Sequence, residues 1–470
     1  MPCRKRLSVI VMLLLVSLAL SFVGCRKKAD VTEESTYTDA VYPENGLPRN
    51  IKIKIRAIFP VQGMGKEQFA YAVETFERKF PNVKIEVRYV EAGRVAYQEL
   101  INALIQSGND DEMYDWVYSF EMAKDKLIEQ GKLEPQDEMW ERSLFDKPSL
   151  KLKDIVKLDK REVFSPDGHL YALPSGMTIV GLYYNKQIFN KYGWKEPQNW
   201  VEFMDLCAKI KSKGIYPLVM DGKHAISYFD FGWGVIPYAV GGEKYRDNVY
   251  NYRSNIYSSK PFITMLERLE EFSKKGYLHP GTISFDHTQS QMEFLQAKAA
   301  MITNGTWFAN EMKDVTPPGF EWGFMPFPGN APGEKQYVIM SSGGSGYILK
   351  NKPKLIKKWV KEFNLWQLNL DVQKKVAEYG GVPIRTDFLS DSEFSSSISA
   401  TVKIALEITG NPNIKFIDPN LRVRVISNSE MAKLSKIRQD GYVSIVSGHK
   451  NARQVAKELN AQYNKGIASE

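Results

Sequence analysis

An alternation of strand and helix patterns over residues 51–132 is the feature that most constrains the fold of this chain. The segments IKIKIRAIF, VKIEVRYV and YDWVYSF have the patterns of strands. KEQFAYAVETFERKF, AYQELINALIQSG and EMAKDKLIEQGK follow them with helical spacing, and Pro81 and Gly108 end the first two helices. Strands and helices that alternate in this way predict a layered α/β domain with a mainly parallel sheet.

A second region of similar character begins at GLYYNKQIF, residues 181–189, and continues with predicted helices at Val201–Ser212 and Phe262–Lys275. The tail, roughly 428–465, is also helical by pattern. Proline and glycine accumulate in GFMPFP, residues 323–328, as they would where a chain crosses between lobes. With 470 residues the chain is long enough for more than one domain. We therefore expect two α/β lobes with more than one crossing between them.

The amino terminus has the pattern of an export signal. Basic residues at positions 4–6 precede an apolar run at 7–23, which is followed by Gly24 and Cys25. The ending SFVGC is similar to that of bacterial lipoprotein signals, in which the cysteine is lipidated; ordinary cleavage and an uncut anchor are the alternatives. We expect a signal peptide at 1–24, then a lipidated Cys25 and a flexible tether through residue 47.

Cysteine usage and charge exclude two further possibilities. Cys207 recurs with Phe203 and Ile210 at helical spacing, which predicts a small buried apolar residue, so no cysteine pair remains for a disulfide. The formal net charge of +8 is mild, and the basic residues are spread along the chain rather than clustered. We therefore expect no nucleic-acid partner, and we expect a monomer.

Catalytic and metal-binding motifs give no match. The five histidines are scattered without a His-Glu-x-x-His helix face, and no Cys-x-x-Cys is present. GMGKEQ at 63–68 lacks the remaining residues of a phosphate loop, and GGSGY at 343–347 lacks the closing glycine of a nucleophile elbow. We expect no enzyme activity, cofactor or metal ion. Because glycosidase carboxylates pair in space rather than in sequence, a secreted carbohydrate-active enzyme remains an alternative.

Several passages resemble, in their order and spacing, the extracellular solute-binding proteins of ABC importers. They lie within residues 50–385 and include FERKFPNVKIEVRYV, LINALIQSGNDDEMYDWVYS, HLYALPSGMTIVGLYYNKQIF, FLQAKAAMITNGTW and SSGGSGYIL. The resemblance is to the carbohydrate-binding group (family 1), which includes maltodextrin-binding proteins. It implies a type II periplasmic-binding-protein-like fold, in which a ligand is held between two lobes joined by hinge strands.

The resemblance also implies lobe boundaries and partners. It places hinges near Pro174–Gly181 and Met325–Pro328. The amino-terminal lobe would comprise 48–177 plus 326–385, and the carboxyl-terminal lobe 178–325 plus 386–470. Ligand binding would shift an open–closed equilibrium, and the closed form would be recognised by the permease subunits in the membrane. The implied partners are a carbohydrate, these permease subunits and, through the lipid anchor, the cell membrane on its extracytoplasmic face. A non-sugar solute is the alternative ligand.

A sugar has apolar C–H faces and a rim of hydroxyls, so its site needs an aromatic surface and fixed polar groups. In AAMITNGTW we expect Ala299–Thr303 to be a core strand and residues 304–306 a turn that presents Trp307 to the cleft. Trp307 is the first candidate for the aromatic surface and Trp233 the second; core packing is the alternative for both.

Polar candidates complete the expected site. We expect Asp115, Ser119 and Glu121 at the carboxyl end of the third strand, where open α/β sheets bind ligands. Glu121 could instead begin the next helix. The other candidates are Tyr183, which we expect to face the cleft with Tyr184 pointing away, Gly343 and Gly344 as donors of backbone amides or as a tight turn, and Arg385 as a donor to hydroxyls or as part of a surface salt bridge.

Overall fold

A computed structural model describes residues 40–61, 66–91, 93–109, 112–118, 124–156, 163–385, 387–388, 398–419, 422–423, 426 and 428–470. The chain divides into two compact units, one ending at Ile51 and one spanning Lys52–Glu470. In the first unit, Val41 pairs antiparallel with Pro48, and the Tyr42 amide donates to the Leu47 carbonyl over 2.9 Å. Residues 41–48 thus form a turn where the sequence predicted the end of a tether. Cys25 and residues 26–39 lie outside the described residues.

The second unit contains two β-sheets. Its strands are β1 (Ile53–Pro60), β2 (Val83–Val90), β3 (Trp116–Tyr118), β4 (Pro174–Asn185), β5 (Tyr216–Val219), β6 (Ala299–Gly305), β7 (Trp322–Met325), β8 (Gln336–Gly344), β9 (Gly346–Tyr347) and β10 (Ile414–Ile417). The first sheet has the order β2-β1-β3-β9, and the second has the order β10-β8-β4-β6-β5 with β7 paired to β4. Each sheet, with the helices against it, forms one lobe.

Helices connect these strands. They are α1 (Glu67–Lys79), α2 (Gly93–Ser107), α3 (Lys124–Glu129), α4 (Leu152–Ile155), α5 (Lys186–Tyr192), α6 (Trp200–Ser212), α7 (Ala225–Gly232), α8 (Ile236–Tyr250), α9 (Lys260–Lys274), α10 (His287–Leu295), α11 (Phe308–Glu311), α12 (Lys354–Trp366), α13 (Leu370–Glu378), α14 (Ala400–Gly410), α15 (Ser429–Val446) and α16 (Ala452–Ala468). None of the helices in the described part of the chain is long and apolar enough to span a membrane.

The first sheet follows the predicted strand–helix alternation. β1 pairs in parallel with both β2 and β3, as expected for strands joined by helical crossovers. The expected apolar positions on α1, Phe69 and Phe76, are buried. The helix ends at Lys79, two residues before Pro81, because the residue that precedes a proline disfavours helical geometry. These predictions are confirmed.

β4 is the central strand of the second sheet. Its sequence, PSGMTIVGLYYN, is apolar over most of its length, as is typical of strands covered on both faces. Val180, Leu182 and Tyr184 enter one hydrophobic core, and Ile179 and Tyr183 enter another on the opposite face. Cys207 on α6 belongs to the first of these cores and is fully buried, which confirms its predicted role.

Side-chain caps begin several helices of the second lobe. The Asn199 carboxamide accepts from the Glu202 amide at the start of α6, and Asp286 and Gln289 form a reciprocal capping box at the start of α10. Asn451 and Gln454 form another at α16. Such caps satisfy amides that have no partner within the helix, so these short polar residues define where each helix starts.

Within the described residues, three segments connect the lobes. The chain first crosses at Leu173–Pro174, and it returns between β8 and β9 around Ser345, whose amide donates to the Leu173 carbonyl over 2.7 Å. In the third segment Val382 forms a bridge with Met177, and Arg385 forms one with Val156. The crossing expected near residues 325–328 is not there, because β7 and β8 on either side both belong to the second sheet.

Candidate functional site

Trp307 lies where a buried strand ends next to the third connecting segment. β6 is buried along its whole length, and the Thr306 amide then donates to the Ile179 carbonyl of β4 over 3.0 Å. Trp307 follows at once and is only partly buried. Asn304 and Gly305 belong to the strand, so the turn is shorter than the sequence predicted. The end of β6 thus places the Trp307 ring in the region where the lobes join.

The third connecting segment approaches Trp307 through a glycine. Gly380 has a φ of +85°, a conformation that favours glycine, and a Cβ added there would lie 3.1 Å from the Thr306 carbonyl oxygen and 3.6 Å from the Trp307 Cα. The backbone of this segment can therefore come close to the Trp307 turn because position 380 has no side chain.

Phe231 on α7 forms an aromatic pair with Trp307. The ring centroids are 5.6 Å apart, and the ring planes make an angle of 74°, an edge-to-face arrangement. Phe231, like Trp307, is only partly buried. The sequence analysis missed Phe231. Its signal was the neighbouring run YFDFGW, in which aromatic residues recur too densely for one helix face to bury them all.

The Trp307 ring lies directly over Gly305. A Cβ at position 305 would be 1.9 Å from the ring. Gly305→Ala is therefore expected to displace the ring and to weaken binding of any ligand that contacts it by at least about tenfold, since one lost contact of this kind costs about 1.4 kcal/mol or more. Tryptophan fluorescence and ligand titration measure both effects. Gly410→Ala is the control, because nothing lies within 4 Å of a Cβ there; equal losses in the two variants would contradict the prediction.

Two aromatic candidates from the sequence are buried in the cores. Trp233 is 1% exposed and packs among Trp200, Phe272 and Phe327, because the FGW segment turns inward from α7 into a 3₁₀ turn. Tyr183 is fully buried between Phe308 and Phe324. Tyr183 and Tyr184 do point in opposite directions, but each enters a core because β4 is covered on both faces. Neither Trp233 nor Tyr183 faces a cleft.

Asp115 lies at the opposite end of β3 from the one expected. β3 begins at Trp116, so Asp115 precedes the strand. Its carboxylate accepts from the Arg56 backbone amide over 2.8 Å and lies 3.6 Å from the Lys352 ammonium group. Asp115 thus connects the start of β3 to the middle of β1 and to the chain after β9. Ser119 and Glu121, the two candidates at the carboxyl end of β3, lie outside the described residues.

Gly343 and Gly344 lie at the second crossing. They are the last residues of β8 and pair with Gly176 and Pro174 at the start of β4, where the register shifts. Their backbone groups are therefore placed beside the connecting segments, which keeps them in the candidate site.

Arg385 has a structural environment rather than the exposed one expected. Its side chain is fully buried, and its guanidinium donates to Asp146 over 2.6 Å and to both oxygens of Asp387 over 2.8 and 2.7 Å. Burial alone would lower the pKa of Arg385, but the two carboxylates raise it above its ordinary value. Four of the five N–H groups of this fully buried side chain donate to other groups of the protein, so we remove Arg385 from the site.

A cavity of about 410 Å³ lies in the first lobe, away from the connecting segments. It is lined by α2, α3 and the chain after β9, with Leu104, Ile105, Leu127 and Leu349 among its walls. All of its lining residues belong to the first lobe. The cavity is therefore distinct from the region around Trp307.

The described residues contain no cluster of histidine, cysteine or acidic side chains that could hold a metal ion. The Trp307 region contains a partly exposed aromatic pair, with Trp307 after β6 and Phe231 on α7, and glycine backbone at the neighbouring crossings. Such a surface suits an uncharged ligand with an apolar face and polar edges.

Comparison with known proteins identifies the family and the fold of the chain. Residues 64–364 match the family described as bacterial extracellular solute-binding protein. The chain is 25% identical over 260 residues to the diacetylchitobiose binding protein NgcE of Streptomyces coelicolor, covering 55% of this chain and 54% of that protein. It is 25% identical over 246 residues to the multiple sugar-binding protein of Streptococcus mutans, covering 50% and 56%. The matches thus span little more than half the length of these relatives.

A solved structure described as a chitin oligosaccharide binding protein has the same fold. It superimposes with a TM-score of 0.71 at 17% identity, covering 88% of this chain and 99% of the other. This likeness confirms the two-lobed α/β fold, and the family match confirms the resemblance found in the sequence. The chain belongs to the bacterial extracellular solute-binding proteins, whose family model matches well over half of its length.

Proposed function

We propose that this protein is a membrane-tethered receptor that captures a sugar or oligosaccharide between its lobes and delivers it to the permease of an ABC importer. The observation that carries the proposal is the placement of Trp307, partly exposed at the end of β6 and paired edge-to-face with Phe231. An aromatic surface of this kind stacks on the apolar face of a sugar ring. The names of the relatives, which bind diacetylchitobiose, multiple sugars and chitin oligosaccharides, support the same ligand class.

The proposed ligand site contains Trp307 and Phe231 on the second lobe and the backbone of Gly343 and Gly344 at the crossing. Ser119 and Glu121 are the candidates for the first-lobe wall. A ligand that contacts both lobes binds the closed form more tightly, and only this difference in affinity can drive closure. The closed form would then be the one that the permease accepts.

Ligand identification tests the proposal directly. Freshly purified protein is denatured, and released small molecules are identified by mass spectrometry. Calorimetry then measures the binding of diacetylchitobiose, longer chitin oligosaccharides, maltotriose and raffinose. We expect saturable binding of at least one of these sugars. Release of a peptide or other non-sugar solute, together with no heat of binding for the sugars, would overturn the carbohydrate assignment.

In the proposed function the protein binds its sugar ligand without cleaving it. Labelled chitin oligosaccharides incubated with trace amounts of the protein are expected to be recovered intact. Their cleavage at catalytic protein concentrations would favour the alternative of a secreted carbohydrate-active enzyme.

Tethering depends on Cys25 in this proposal. Cys25→Ala is expected to move the protein from the membrane fraction to the soluble extracytoplasmic fraction, because a lipid chain cannot be attached to alanine. Fractionation followed by immunoblotting measures the distribution. Cys207→Ala is the control, since that thiol is buried in the core of the second lobe and cannot carry a lipid. A Cys25→Ala protein that remains in the membrane fraction would contradict lipid anchoring.

A further inference from the structure

Three hydrogen-bonded side chains, Tyr228, His287 and Glu311, lie next to the Trp307–Phe231 pair. The His287 ring on α10 contacts the Tyr228 hydroxyl through Nδ1, and its Nε2 lies 3.0 Å from both carboxylate oxygens of Glu311. Gln291, one turn after His287, donates to the same carboxylate over 2.9 Å. Tyr228 lies on α7 and Glu311 on α11. His287 therefore joins α7 to α11 through the two nitrogens of one ring.

The two joined helices are those that carry the aromatic pair. Phe231 is three residues after Tyr228 on α7, within one helical turn. Trp307 is four residues before Glu311, and the Glu311 amide donates to the Trp307 carbonyl over 2.9 Å. Each end of the hydrogen-bonded chain is thus one turn from one of the two rings.

α11 needs this support because it is so short. A helix of four residues is not stable by itself, so its orientation must come from contacts with the rest of the fold. Phe308 fixes one side of α11 by packing against Tyr183 and Trp322 in the core. Met312, directly after the helix, is buried in the same core. The Glu311 carboxylate, held by His287 and Gln291, adds a polar anchor on α11.

We propose that the Tyr228–His287–Glu311 chain is a positioning device that sets the Trp307 ring against Phe231 and so sets ligand affinity. The effect on affinity rests on the proposed function, whereas the effect on the ring does not. His287 and Glu311 act through Trp307, and the proposal requires neither of them to touch the ligand.

The first test measures the ring without any ligand. The full-length chain is labelled with 5-fluorotryptophan, and the fluorine resonance of Trp307, one of nine tryptophans, is assigned by its loss in Trp307→Phe. We expect Glu311→Leu and His287→Leu to shift or broaden this resonance. Glu311→Gln retains one acceptor oxygen and is expected to restore most of the wild-type signal. A Trp307 resonance that is unchanged in Glu311→Leu overturns the proposal.

Glu293, on α10 with His287, provides a matched control for Glu311. Its carboxylate also faces a histidine, lying 3.3 Å from His279 Nε2, and contacts Lys298 over 2.7 Å. Its side chain is 17% exposed, against 19% for Glu311. Glu293→Leu therefore removes a comparable contact between a carboxylate and a histidine and should leave the Trp307 resonance in place. If Glu293→Leu and Glu311→Leu shift it equally, the effect is general destabilisation and the proposal fails.

The second test is a double-mutant cycle in ligand affinity, with the sugar from the calorimetric panel that the wild-type protein binds. Glu311→Leu is expected to weaken binding about tenfold in the wild-type background and hardly at all when Trp307 is already alanine. Equal losses in both backgrounds, or no loss in the wild-type background, would overturn the proposed action through Trp307. If no sugar binds, the proposed function fails, and the fluorine spectra still decide whether Glu311 positions the ring.

Discussion

Replacing Arg385 with methionine is expected to lower the free energy of unfolding by about 3–5 kcal/mol, because it removes the fully buried cation that binds two partly buried carboxylates. Asp146 and Asp387 both bind the Arg385 guanidinium, which also donates to the Leu368 carbonyl over 2.9 Å. Methionine fills a similar volume but donates no hydrogen bond. The midpoint of urea denaturation, followed by circular dichroism, measures the loss.

An exposed ion pair provides the control for Arg385. Arg453 lies 3.3 Å from Glu267, and its side chain is 82% exposed, so Arg453→Met should change the midpoint little. A midpoint for Arg385→Met as high as that for Arg453→Met would show that the buried cluster contributes nothing net to stability.

The same cluster predicts a dependence of stability on pH. Burial alone would raise the pKa of Asp387, but hydrogen bonding to Arg385 holds it below its ordinary value. Because the pKa is lower in the folded than in the unfolded state, the contribution of Asp387 is complete at neutral pH and is lost as the pH falls below about 4 toward the folded-state pKa. Arg385→Met should lose less stability than the wild type over this acidic range.

Replacing Trp307 with alanine is expected to weaken binding of the sugar ligand about 100-fold, a loss of about 2.7 kcal/mol, because the central aromatic contact of a site carries much of its binding energy. Trp307→Phe should lose less, since phenylalanine retains an apolar face of smaller area. Calorimetric titration with the sugar that the wild type binds measures both variants.

Trp194 provides the control for Trp307. It is also partly buried in the second lobe, where it stacks on Tyr192 with ring centroids 4.8 Å apart, but it follows α5, beyond the end of β4 that is far from the crossings. Trp194→Ala is expected to leave ligand affinity unchanged. An affinity for Trp307→Ala within twofold of that for Trp194→Ala would remove Trp307 from the site.

Much of the fold could be predicted because its elements have local signals. The alternation in IKIKIRAIF and the apolar spacing of KEQFAYAVETFERKF each follow from burying one face of an element, so β1 and α1 lie where their patterns place them. The second crossing could not be predicted in the same way. Proline and glycine in GFMPFP indicate a turn. Whether the chain then crosses to the other lobe depends on which sheet the next strand joins, and β8 joins the same sheet as β7.

The site was harder to predict because aromatic residues have similar sequence signals in a core and in a cleft. Trp233 and Trp307 both follow a glycine within two residues in the sequence, yet Trp233 is 1% exposed and Trp307 is partly exposed. Arg385 is another example, since nothing near it in the sequence shows that Asp146 lies 2.6 Å away. Its partner is 239 residues distant along the chain.

The sequence by itself determined the strand–helix alternation, the family and the strand that carries Trp307, because periodicity and motif order are properties of neighbouring residues. Only the tertiary structure decided which rings remain exposed, which charges are paired inside the protein and which helices His287 joins. Those outcomes depend on contacts between segments far apart in the chain, as when His287 on α10 meets Tyr228 on α7, 59 residues before it. Such contacts form only when the second sheet and its helices are assembled.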